Sequence, residues 1–257
     1  MIETGSTSRY LLYAIGEIAL VVIGILIALQ INNWNQDQKE KAYEDNMLLE
    51  IYGSLQLDSA RFDMFFEPRV KLKKQGIDSL LSFIHFNKNV ENDTVLKYYR
   101  QLYYSPQITV NFGPYETLKS NGLEKIKNDE IRLWLVDLYD SFLPRQIFFI
   151  QEEIKRHESK ILVLDNELIQ RNSTRVSPNG ELYVSKTLRS ENFLRDSRTL
   201  YFIELHYIIN REQISRLNKM KKALHATLEK LRDQFNSNKG FRESNKGKKL
   251  TQTYYDE

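Results

Sequence analysis

The chain contains no cysteine, which excludes disulfide scaffolds, thiolate metal sites and cysteine nucleophiles. Glycine and proline are also scarce, 10 and 5 in 257 residues, roughly half of ordinary usage. So few turn-formers imply few turns, and long helices are expected rather than many short strands. Neither sign of charge dominates: 37 Lys+Arg against 34 Asp+Glu give +3, too balanced for a nucleic-acid binder, and no nucleic-acid partner is expected. A mean hydropathy of −0.51 argues against a polytopic membrane protein. It leaves room for one concentrated apolar segment, and the chain has one.

Tyr10 to Ile31 reads YLLYAIGEIALVVIGILIALQI, in which only Glu17 and Gln30 are strongly polar. At ~1.5 Å per residue this run makes ~33 Å of helix, enough to cross a ~30 Å hydrocarbon core. Tyr10, Tyr13 and Trp34 stand where interfacial aromatics belong. The run is too long for a signal-peptide core, and Ile27-Ala28-Leu29-Gln30 is a poor cleavage site. The expectation is therefore an uncleaved anchor over 10–31, preceded by a short tail at 1–9. The basic flanks tie, Arg9 and the α-amine against Lys39 and Lys41, so charge does not orient the span. The nine-residue tail suits insertion with the N-terminus inside and the body outside.

Glu17 is costly in hydrocarbon and needs protein, water or an interface to face. Gly24 and Ala28 lie seven and eleven residues on, within about 20° of Glu17 on a helix. Gly24-x-x-x-Ala28 is a spacing that admits a second helix closely. Glu17, Gly24 and Ala28 thus form a candidate interface, in a homo-oligomer or with a membrane partner. The competing reading is that Glu17 snorkels to a headgroup and the small residues carry nothing.

Beyond Trp34, apolar residues at Tyr43, Met47, Leu48, Ile51, Leu55, Phe62 and Phe65 keep helical spacing. The anchor is expected to run on into an amphipathic helix ending near Pro68. Helices follow over 69–86 and 95–104, the latter capped by Asp93 or Thr94. Ser105-Pro106 breaks the chain into an extended stretch. Pro114 then opens a short helix over 115–121 that Gly122 closes. Asn128 caps the next helix, and Pro144 kinks or separates it from a long one over 146–171. Ser177-Pro-Asn-Gly180 marks a small hairpin near 175–184. A last helix spans most of 191–235, and the tail 236–257 lacks a core pattern and reads as disordered. Tyr201–Ile209 is too short and polar for a second span and is expected in the core.

The run from Tyr10 to Asn35, YLLYAIGEI through VVIGILIALQINNWN, resembles the anchor of an uncharacterised family of bacterial membrane proteins. A second stretch, Tyr115-Glu-Thr-Leu-Lys-Ser-Asn-Gly122 followed by Ile126-Lys-Asn-Asp129, is similar to a mid-chain motif of such proteins. The resemblance implies a single-pass envelope protein with an α-helical body, and it supplies no catalytic residue; the expected location is the bacterial inner membrane, with the body on the periplasmic side.

Few residues invite chemistry. Glu153 and His157 are four apart on a helix, but a third metal ligand is not evident, so no metal is expected. His206, among Tyr201, Phe202 and Ile209, reads as a hydrogen-bonded core histidine. G-x-S-x-G, P-loop and G-x-G-x-x-G motifs are absent, and neither catalysis nor a cofactor is expected. Arg211, Arg216, Lys219, Lys221 and Lys222 read as the solvated face of a helix, with anionic lipid or nucleic-acid contact the competing reading. Tyr98, Tyr99, Tyr103, Tyr104 and Tyr115 surround the 105–114 loop. A ligand or partner surface is sought there, at Tyr104, Tyr115, Thr117, Lys119, Ser120 and Asn121, against the simpler reading of a turn locking two helices.

The expected fold is all-α: a transmembrane helix leading into an elongated helical bundle over 36–235 with one small hairpin. The expected function is a self-associating, membrane-anchored interaction or scaffold module. A sensory or ligand-binding domain that signals through a membrane partner is the alternative. A concave aromatic pocket favours the sensor, a flat apolar patch the scaffold, and convergent titratable groups an enzyme.

Overall fold

A computed structural model describes residues 4–176, 179–180 and 182–237. The protein is all-α apart from one hairpin. Helix α1, Thr4–Arg61, runs through a wide turn at Phe62–Phe66 into α2, Glu67–His85. Then come α3 (Asn92–Gln101), α4 (Gly113–Asn121) and α5 (Asp129–Val136). A second wide turn at Asp137–Phe142 joins α5 to α6, Leu143–Leu168. The antiparallel strands β1 (Ile169–Val176) and β2 (Leu182–Leu188) precede α7, Ser197–Ser237.

The first helix does not stop near Pro68. In a regular α-helix the ring of Pro68 collides with the carbonyl four residues back and removes a donor. Here Phe62–Phe66 form a π-turn, in which the Glu67 amide donates to the Phe62 carbonyl five residues back. The widened backbone admits the proline as the helix resumes. Pro144 follows the same plan: the Leu143 amide donates to Leu138 across the second π-turn, so α5 and α6 are continuous and not separated. Both prolines stand in the first turn of the resumed helix.

Other boundaries shift for local reasons. Neither Asp93 nor Thr94 caps α3; the cap position is Glu91 and both residues lie inside the helix. Asn128 does cap α5, its side chain accepting from the Glu130 and Ile131 amides at 3.0 and 3.3 Å. The hairpin is longer than 175–184 and takes residues 169–171 from the preceding helix. Ile169 is extended, pairs with Leu188 and is buried. Of its turn, Gly180 has φ +83°, while Ser177 and Pro178 lie outside the described residues. So does the tail beyond Ser237.

Two apolar cores stack along the bundle. The first gathers Leu48, Ile51 and Leu55 of α1, Tyr115 and Leu118 of α4, Leu135 of α5, and Leu217 to Phe235 of α7. The second joins Ile77 and Leu80 of α2, Tyr99 and Leu102 of α3, Leu164 and Leu168 of α6, and Phe202, Ile203 and Leu205 of α7. Helix α7 is a wall of both. Gly76 lets α2 and α3 approach: a Cβ there would stand 2.7 Å from the Tyr98 carbonyl and 2.8 Å from Gln101 Cβ. Tyr201 and Tyr207 face out of the α7 segment, and Phe202, Ile203, Leu205 and Ile209 face in.

Residues 13–39 of α1 are exposed throughout and pack against no other described element. An 18-residue window of this stretch has mean hydropathy 2.5 and no buried residue. By length and composition it is able to cross a membrane. Asn32–Lys39 forms a polar spacer of ~12 Å before the bundle begins.

Candidate functional site

The mid-chain stretch is bound into the first core. Tyr115 is fully buried, stacked on Tyr139 with ring centroids 4.7 Å apart, and its hydroxyl donates to Asp140 Oδ2 at 2.8 Å. Lys119 Nζ donates to the other oxygen of Asp140 at 2.8 Å. Thr117, Ser120 and Asn121 spend their side-chain donors on carbonyls of their own helix: Thr117 on Gly113, and both others on Thr117. Tyr104 is 43 % exposed and stands apart from them. Two buried acids of α1 clamp the flanks of the stretch. Asp58 Oδ2 accepts from the Asn111 amide at 2.9 Å, and Glu44 Oε1 from the Lys127 amide at 2.9 Å. Burial raises both carboxyls above their ordinary values, against the pull of those amides. Tyr115 and Lys119 thus tie α4 to Asp140 of the second wide turn, and the six residues do not converge on a cavity.

The tyrosines of α3 belong elsewhere, to a polar seam between the two cores. Asp165 of α6 is buried, and its Oδ1 accepts from the hydroxyls of Tyr99 and Tyr103, the latter at 2.5 Å. The Tyr99 ring lies flat on Phe202, 10° between planes. Lys186 of β2 places its ammonium 5.0 Å over the Tyr103 ring and 5.9 Å over Tyr99. Burial first, then Tyr103 and Asp165, hold the Tyr99 phenol far above its usual value.

Lys73 of α2 and His206 of α7 complete the seam. Lys73 is 3 % exposed and has no hydrogen bond or ion pair among the described residues. Burial pulls its ammonium down to about 8. His206 is equally buried and lies edge-on to Phe202 and Tyr103. Neither of its ring nitrogens has a hydrogen-bond partner among the described residues, so it is a core histidine but not a hydrogen-bonded one there. Burial, with the Lys73 charge acting in the same direction, pushes the imidazole down to about 3 and keeps it neutral. Below it, Gln213 donates to Ser105 Oγ at 2.7 Å, while the side-chain carbonyls of Asn210 and Gln213 are unpartnered.

These groups border a cavity of about 270 Å3, whose apolar walls include Leu102, Ile154, Ile161, Leu162 and Ile209, with Glu158 exposed at its mouth. The seam therefore offers one buried ammonium, one neutral imidazole, and one carboxylate already engaged by two phenols. A second groove, of about 390 Å3, lies between Trp134, Leu138 and Phe142 on one side and Ala223 and Ala226 on the other. Its charged residues Asp137, Lys219 and Lys222 are exposed.

Spacing held a signal for the seam. Phe66, Val70, Ile77 and Leu80 form a buried stripe from the first π-turn along α2, and Lys73 occupies its middle position. In α7, His206, Asn210 and Gln213 replace apolar residues on three successive turns between Phe202 and Leu217. A polar residue at an apolar position is the informative case.

The other marked residues are placed plainly. Glu17, Gly24 and Ala28 are exposed on the projecting part of α1, and no atom beyond its own helix comes within 4 Å of a Cβ built at Gly24. Glu153 Oε1 and His157 Nε2 meet at 3.0 Å, and no metal-binding cluster of three exists among the described residues. The basic face of α7 is partly engaged: Lys221 bridges Asp63 and Glu67 at 2.5 and 2.7 Å, and Arg216 pairs with Glu212 at 2.6 Å.

No curated protein and no solved structure matches the chain. A family model, described as a family of unknown function (DUF6090), matches residues 17–161, taking in most of the apolar run, the mid-chain stretch, Lys73 and Tyr103, and the chain belongs to that family.

Proposed function

We propose that the protein is a single-pass, membrane-anchored helical module that binds a small ligand in the seam and signals through its span. One observation carries the reading: the apolar run and Lys73 lie on the same rod, unbroken from Thr4 to His85 except for a π-turn. A change at the seam acts on the helix that enters the bilayer. π-turns within helices are frequent at functional sites, and this one stands between span and cavity. The concave aromatic seam moves the weight from the scaffold reading to the ligand-binding one. The resemblance to envelope proteins supports a bacterial inner membrane with the body on the periplasmic side. The span partner is a second copy or another membrane protein, meeting the Glu17–Gly24–Ala28 face.

The absence of native cysteine makes the test clean, because a single introduced thiol is unique. Ala28→Cys is expected to give disulfide-linked dimers in native membranes, and Leu26→Cys, about 200° round the helix, far fewer. Adding Lys73→Met to Ala28→Cys should change the yield, whereas adding Lys74→Met on the exposed face should not. Equal yields at 26 and 28 would remove the self-associating face. A yield indifferent to Lys73→Met would remove the coupling.

A further inference from the structure

Opposite charges in a buried site normally find each other, because an isolated ion in low dielectric is expensive. In the seam the Lys73 ammonium finds no such partner among the described residues. The Asp165 carboxylate is taken by the Tyr99 and Tyr103 hydroxyls, and the Lys186 ammonium lies over the faces of those two rings. Glu158 is exposed to water at the mouth and forms no ion pair with Lys73. His206 is uncharged. Among the described residues, the charge left without a counterpart is the Lys73 ammonium, buried at 3 % exposure against the cavity it lines.

We propose that the seam cavity binds a small organic acid, its carboxylate on the Lys73 ammonium and its apolar body against Ile154, Ile161, Leu162 and Ile209. The inference rests on the reading of the seam as a ligand site and adds the chemical class of the ligand. Three features select this class. The ammonium gives a charge-assisted hydrogen bond to a carboxylate oxygen, stronger than one to a neutral carbonyl. The aliphatic wall from α6 and α7 favours a hydrocarbon body over a polyhydroxylated one. The volume of about 270 Å3, at ~30 Å3 per water-sized group, admits roughly nine non-hydrogen atoms. A benzoate or a medium-chain fatty acid has about that size. His206 lines the same cavity with one N–H and one lone pair in either neutral tautomer.

The probe series is 4-fluorobenzoate, 4-fluorobenzamide and 4-fluorobenzylammonium, which share a body and differ in head charge. Each is titrated by fluorine NMR into the full chain in lipid nanodiscs, with empty nanodiscs subtracting lipid partition. The benzoate is expected to bind about ten- to a hundredfold tighter than the amide, the span that a hydrogen bond to a charged group carries. Lys73→Met should lose that preference, Lys73→Arg should retain part of it, and the exposed Lys74→Met should leave it unchanged. Equal or better binding of the amide or the benzylammonium overturns the anion assignment while leaving the seam a ligand site. Benzoate binding that survives Lys73→Met overturns it as well. Failure of all three probes also overturns it, and the span crosslinking then judges the sensory reading by itself. The wild-type comparison of benzoate with amide needs no variant, so a folding defect in Lys73→Met does not protect the proposal.

Discussion

Replacing Lys73 by methionine should stabilise the protein at neutral pH, although it alters a buried residue in the middle of a packed helix. Burial moves the ammonium from 10.5 to about 8. At 1.36 kcal/mol for each tenfold step in proton affinity, the gap amounts to ~3 kcal/mol against the charged form. Below pH 8 the folded and unfolded chains both hold the proton, and the folded state bears the full penalty. Between pH 8 and 10.5 the folded chain has released the proton and the unfolded chain has not. The unfolded state then binds more protons, so stability rises with pH through that window. Methionine matches the length of the lysine stem and carries no charge. Lys73→Met should therefore gain up to ~3 kcal/mol over wild type at pH 7, with the gain fading toward zero near pH 10.5. Chemical unfolding of the full chain in mild detergent, followed by far-ultraviolet circular dichroism at pH 7, 8.5 and 10, gives the difference. The other groups of the seam, Tyr99 and Tyr103 of α3, Asp165 and Glu158 of α6, Lys186 of β2 and His206 of α7, are present in both chains, and His206, held low by burial, stays neutral from pH 7 to 10. A variant less stable than wild type at pH 7, or a gain flat with pH, would refute the picture of an uncompensated buried charge.

Three further outcomes are expected. His206 has a folded value of about 3 against 6.5, so stability is lost as pH falls from 6.5 toward 3, by at most ~5 kcal/mol; His206→Phe should flatten that acid limb in pH-dependent unfolding. Gly76→Ala should cost ~1–3 kcal/mol through overpacking against Tyr98 and Gln101, and an unchanged melting temperature would show that α2 and α3 yield there. Asp58→Ala removes the charged acceptor of the Asn111 amide and the partner of Arg61, a cost of ~1–3 kcal/mol. Hydrogen exchange at Asn111 should quicken more than at Lys127, whose acceptor is Glu44.

Much of the architecture was legible because it rests on local signals. The apolar run, the Asn128 cap, the Gly122 stop and the long last helix follow from residue type and spacing. The two prolines misled because proline reads as a stop when only regular α geometry is considered. What rescues Pro68 and Pro144 is a widened turn just before each, a backbone adjustment that no single residue announces. The hairpin was underestimated because Ile169 gains its burial from the second core, which is a tertiary effect. At the mid-chain stretch the polar residues looked available to a ligand, yet their bonds close on their own helix and on Asp140. The seam was missed for the opposite reason. Lys73 counts only among the 37 basic residues and His206 reads as a hydrogen-bonded core histidine from its neighbours, while the signal for a polar seam is the place of each in an apolar stripe.

The π-turn at Phe62–Phe66 also makes the rod tolerant in length. Such a turn takes up one residue more than a regular turn holds, so the helix keeps its phase on both sides of it. Deleting Met64, an exposed residue, would restore regular winding and leave Lys73 facing the cavity. It would also press the Pro68 ring against the carbonyl four residues back, a conflict of about 3 kcal/mol. The surplus residue is thus the seat of the proline, and a chain one residue shorter at this point would keep both cores in register while straining the rod between span and seam.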